Sequence, residues 1–95
     1  MNTLNQQSIK KNHNAILENR KRLLLSGIND VDSFNENQML LFTELGELII
    51  KGKNLHINEM NVETGDFSVE GDIWALIYGD KDKNQRFGFL KKIFK

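Results

Sequence analysis

The sequence contains no cysteine, which excludes a disulfide framework and a thiolate metal site and fits a reducing compartment. No stretch approaches the roughly 18 to 20 continuous apolar residues of a membrane span, and the N-terminus lacks the apolar run a signal peptide needs. Cytoplasmic synthesis and residence is therefore the expectation. Histidine is scarce as well. His13 lies in a polar start, and His56 sits in the alternating run Leu55-His56-Ile57-Asn58, on the face opposite Leu55 and Ile57. Neither has a second histidine or cysteine at a spacing suited to metal or general-base chemistry, so His56 reads as a solvent-facing strand residue. The serines Ser8, Ser26, Ser33 and Ser68 have no nucleophile-elbow context, and the glycines form neither a dinucleotide nor a phosphate loop. No catalytic residue, cofactor site or metal site is expected, and no small-molecule substrate.

What is present is an ordinary globular composition, 39% apolar and 27% charged, in a chain of 95 residues. That length suits one domain with one modest core and leaves little room for a buried multi-substrate site. The formal net charge is zero, but its distribution is uneven. Residues 1–22 carry Lys10, Lys11, Arg20, Lys21 and Arg22 against Glu18 alone. Residues 80–95 carry Lys81, Lys83, Arg86, Lys91, Lys92 and Lys95 against Asp80 and Asp82, and the acidic body between them has only Lys51 and Lys53 as cations. Basic ends on an acidic body can attract each other, a second copy or an anionic surface; the competing reading is a set of solvated faces.

Residues 1–14 are rich in Asn, Gln and Lys and are expected to be a disordered extension. Ala15 to Ser26 is ambiguous between a helix and two short strands around a turn at Asn19 and Arg20. From Gly27 the period is mostly two, and the interruptions are turn residues. Asn35-Glu36-Asn37 is a turn cluster, Gln38 to Thr43 a strand, and Glu44-Leu45-Gly46 a hairpin reversal before Leu48, Ile49 and Ile50. Leu55 to Asn58, Met60 to Val62 and Phe67 to Val69 read as three further short strands, with Gly52, Gly65 and Gly71 at bends or bulges. Leu55 and Ile57 share one parity, Met60 and Val62 the other, so the chain must bulge or turn near Asn58-Glu59. Asp72 to Tyr78 is apolar on both parities and is expected to be buried on both faces, by the domain or by a partner. Trp74 within it is a candidate partner contact.

The expected domain spans 15–79 and is all-β: a small antiparallel roll or sandwich of about seven to eight short strands. The alternative is a short solenoid-like stack, because the apolar pairs Leu48/Ile50, Leu55/Ile57, Met60/Val62 and Phe67/Val69 recur at similar spacings.

Glu63, Asp66, Glu70 and Asp72 cluster in sequence but fall on polar parities beside glycine turns, and their spacing matches no calcium loop. They read as a solvated face. Nucleic acid is an unfavoured partner, since basic residues and aromatics are not interleaved on the acidic sheet region. The sharpest feature is the end of the chain. At helical spacing Phe87, Phe89, Leu90, Ile93 and Phe94 form one apolar face, and Lys91, Lys92 and Lys95 form a basic face opposite. Nine residues are too few for a stable isolated helix, so this one should form only against a surface. With Trp74, these eight residues are the candidate partner- or surface-binding set, joined to the domain by the polar linker 80–86. The tail attaches the protein to a partner or an anionic membrane, or it covers an open face of its own sheet.

Four blocks, in order, resemble a known family. They are Arg22-Leu23-Leu24-Leu25-Ser26-Gly27-Ile28 with Val31-Asp32-Ser33-Phe34, Gly46 to Leu55, Gly65 with Val69-Glu70-Gly71-Asp72-Ile73, and Gly88 to Lys95. Together they resemble the YabP/YqfC family of sporulation proteins over about residues 13–95, and the lysine-rich phenylalanine tail favours the YabP side. The resemblance implies a protein of the mother cell, needed for assembly around the forespore (envelope, coat or cortex) and not known as an enzyme. Its partners would be another sporulation protein or a second copy, with peripheral contact at an anionic membrane as a further option. The alternative function is a β-rich binding module for an anionic ligand or nucleic acid.

Overall fold

Asn19 and Arg20, where the sequence leaves helix and hairpin open, decide the first element. Both adopt positive φ, 52° and 55°, the pattern of a type I′ turn. The amide of Lys21 closes the turn on the Glu18 carbonyl at 2.9 Å. The computed structural model describes residues 12–79, and this segment is a hairpin of β1 (Asn14–Glu18) and β2 (Arg22–Ser26). Four more strands follow: β3 (Ile28–Phe34), β4 (Gln38–Thr43), β5 (Gly46–Asn61) and β6 (Asp66–Tyr78). All pair antiparallel in one open sheet of order β1-β2-β6-β5-β4-β3.

The turns are written in the side chains. Asn35 Oδ1 accepts from the amides of Asn37 and Gln38 between β3 and β4. Asn61 Oδ1 does the same for Glu63 and Thr64 between β5 and β6. Glu44-Leu45 links Thr43 to Gly46, which pair across the β4–β5 hairpin.

Among the described residues the expected seven to eight short strands are instead six, because bulges bend the two long strands without breaking them. Between β5 and β6 the register shifts at Lys51/Gly52, Lys53/His56 and Ile57/Glu59. The last shift accounts for the parity change near Asn58: the strand that carries Leu55 and Ile57 continues through Met60 to Asn61. The solenoid alternative fails, since parallel rungs are replaced by antiparallel pairing throughout the described residues. The expected C-terminal helix lies outside them.

The bent hairpin folds the sheet over on itself. One half is β1, β2 and the β5–β6 tip; the other is β3, β4, the start of β5 and the end of β6. A single residue, Gly27, joins β2 to β3 although these strands lie far apart in the sheet order. Its φ is +68°, and a Cβ at this position would lie only 2.7 Å from the Asn12 carbonyl oxygen, so there is no room for a side chain. The Ile28 amide then bonds the Gly65 carbonyl at 3.1 Å, bringing the start of β3 to the β5–β6 turn.

Side chains from both halves meet in one core: Leu23 and Leu25, Ile28, Met39 and Leu41, Leu48, Ile50 and Leu55, Phe67, Val69 and Ile73. Full burial of each such chain is worth about 1.5–3 kcal/mol, the main term available to a domain without cysteine to cross-link it.

Candidate interaction surface

The half built from β3, β4, the start of β5 and the end of β6 has a second apolar face, turned away from the core. Cross-strand register puts Leu40 beside Ile49 and Ile49 beside Ile77, with Phe42 beside Glu47. Leu40 and Ile49 form a separate buried cluster flanked by Phe42 and Ile77. The alternation explains it: Met39, Leu41, Leu48 and Ile50 take the inner face, so their neighbours take the outer one. The double apolar parity of Gln38 to Thr43 carries this signal in the sequence.

Trp74 borders that face. It is the extra residue of the bulge where Lys51 and Gly52 pair with Ala75 and Ile73. The residue is 56% exposed, and the Lys51 ammonium lies 5.9 Å from the ring centroid, a cation–π approach. The two-sided burial expected for Asp72 to Tyr78 is only partial: Ile73 alone is buried, Trp74 and Tyr78 are exposed, and Asp72, Ala75, Leu76 and Ile77 are half-buried. The other members of the expected binding set, Phe87, Phe89, Leu90, Lys91, Lys92, Ile93, Phe94 and Lys95, lie outside the described residues.

The polar residues are arranged in cross-strand pairs. Lys21 Nζ donates to Asp72 Oδ1, and this bond, reinforced by the lysine's charge, holds the Asp72 carboxyl below its ordinary value. His56 is exposed, as its parity required; its Nδ1 donates to the Asn54 carbonyl at 3.3 Å, and Nε2 lies 3.4 Å from Glu70. An open cleft of about 400 Å³ runs between these groups, lined by Lys21, Arg22, Asn54, His56, Glu70, Gly71 and Asp72. Lys21 is paired with Asp72 and His56 lies beside Glu70, so groups of both signs are interspersed and the cleft offers no concentrated field to an anion. No nucleophile stands beside a base there. Glu63 and Asp66 lie at the far turn, exposed to solvent, so the four carboxylates do not converge. Among the described residues no group of three or more His, Asp or Glu side chains is placed to hold a metal ion, and no helix is long and apolar enough to cross a membrane.

One contact is not legible in the sequence. His13 Nδ1 donates to the Ser26 carbonyl at 2.8 Å, which leaves Nε2 to accept from the Tyr78 hydroxyl at 2.6 Å. Both ends of the described chain are thereby tied together. Partial burial pushes the Tyr78 phenol up.

The match to known proteins covers this whole arrangement. The model of the YabP family fits residues 9–85, from before β1 to beyond β6. The chain belongs to the YabP family. It is also 35% identical over 89 residues to Spore protein YabP of Bacillus subtilis (strain 168), spanning 93% of this chain and 89% of that protein. Membership of the YabP family supports a role in sporulation and agrees with the resemblance drawn from the four sequence blocks.

Proposed function

We propose that this protein is a non-enzymatic assembly protein of sporulation that acts in the mother cell at the forespore surface, where it binds another sporulation protein during construction of the spore envelope. The observation that carries this reading is the similarity to Spore protein YabP along nearly the full length of both chains. The site chemistry supports it. The described surface offers an exposed tryptophan beside an apolar sheet face and pairs its charged groups with one another, which suits docking better than turnover. The interaction surface comprises Trp74 and the tail Phe87–Lys95, whose lysines Lys91, Lys92 and Lys95 supply a basic face for an acidic protein surface.

The test is a clean deletion of the gene in its own host, complemented in trans. Loss of heat-resistant spores with normal vegetative growth, restored by the intact gene, supports the reading. A deletion strain that yields normal heat-resistant spores removes it.

A further inference from the structure

We propose that the outer face formed by Leu40, Phe42, Ile49 and Ile77 is the seat of the chain's own C-terminal segment, which lies on it through Phe89, Leu90, Ile93 and Phe94. Leu40 and Ile49 are 3% and 0% exposed although both point away from the core. The described apolar neighbours on that side, Phe42 and Ile77, stand beside them in the sheet and flank them without capping them. Complete burial at the middle of a sheet face requires a layer above it.

Two stretches of chain remain to supply that layer. Residues 1–11 offer only Leu4 and Ile9 as larger aliphatic groups after the initial methionine, among Asn, Gln, Lys, Ser and Thr. Residues 80–95 offer the apolar stripe of the tail, and they leave the sheet at the right place: the Gly79 amide bonds the Glu47 carbonyl at 2.9 Å, on the row of Phe42 and Glu47 that ends the face. The seven residues Asp80–Arg86 can extend to about 23 Å, enough to carry Phe87 across a face whose six-residue strand β4 is about 20 Å long. With the apolar stripe turned inward, the lysines of the opposite stripe face outward next to Trp74. The placement rests on the proposed function only for the role of those lysines; the seat itself does not.

The full chain has no cysteine, so Lys95→Cys gives a unique site for a nitroxide spin label. In the labelled protein, amide signals of residues 38–42, 47–51 and 75–77 should lose intensity, while those of Ile16, Leu24 and Glu59 on the other half should not. Undisturbed signals at Leu40 and Ile49 overturn the proposal. A mixture of isotope-labelled protein without the nitroxide and nitroxide-labelled protein without the isotope should show no loss; loss there assigns the face to a second copy and also overturns it. In a second arm, Phe89→Ser with Phe94→Ser should abolish the loss and speed amide exchange at Leu40 and Ile49 while the core signals persist. Unchanged exchange in that variant counts against the seat. None of these readouts depends on sporulation, so their failure is separable from failure of the proposed function.

Discussion

A Cβ atom built on Gly52 would lie 2.1 Å from the carbonyl oxygen of Asp72 across the β5–β6 ladder, with Leu55 Cδ2 only 2.9 Å away. Glycine is required there for space, since a backbone carbonyl cannot step aside as a side-chain tip can. Gly52→Ala must push β5 and β6 apart at the bend that folds the sheet. It is expected to cost at least about 1–3 kcal/mol, read as a lowered denaturant midpoint. An unchanged midpoint would show that the bend is looser than the geometry states.

The turn at Asn19-Arg20 gives a ranking. Arg20 holds a left-handed φ of 55°, and its Nε donates to the Ile73 carbonyl at 3.1 Å. Arg20→Ala keeps the unfavourable backbone and loses the bond, a loss of about 0.5–1.5 kcal/mol. Arg20→Gly loses the same bond but sheds about 1 kcal/mol of left-handed strain. Thermal unfolding should place the glycine variant above the alanine variant. The reverse order would mean that the turn does not hold Arg20 in this conformation.

These two sites also separate what the sequence discloses from what it hides. Turn chemistry is local, so Asn35 and Gly46 are readable as reversals without knowledge of any partner strand, whereas Asn19-Arg20 stays open between helix and hairpin until the pairing of β1 with β2 decides it. Strand length is not local. Asn58 flips the parity of β5 by a bulge against β6, and an alternating pattern that slips looks like a strand that stops. The 16-residue β5 therefore reads as several short strands. The bond between His13 and Tyr78 joins positions 65 apart and leaves no mark in either neighbourhood. Trp74 stands out as an aromatic in a strand apolar on both parities, but its exposure follows from a bulge set by Gly52 on another strand.

Acid stability should report on Lys21 and Asp72. The native carboxyl of Asp72 is held below its unfolded value, chiefly by the bond from Lys21. The native state thus binds fewer protons than the unfolded chain in the acid range, and the contribution is present above the unfolded carboxyl value and lost as pH falls through the lowered native one. Asp72→Asn should therefore be slightly less stable than the natural protein at neutral pH and equal to it in strong acid. Because both side chains are largely solvated, the difference should also shrink in high salt. A difference that persists in strong acid would assign the effect to packing.

The proposed assembly at the forespore surface predicts where the protein gathers in sporulating cells. A fluorescent fusion at the N-terminus, expressed from the native promoter and shown to support sporulation, should gather in the mother cell around the engulfed forespore. Signal that stays evenly spread through the mother cell at every stage, or that appears inside the forespore, would rule out assembly at the forespore surface.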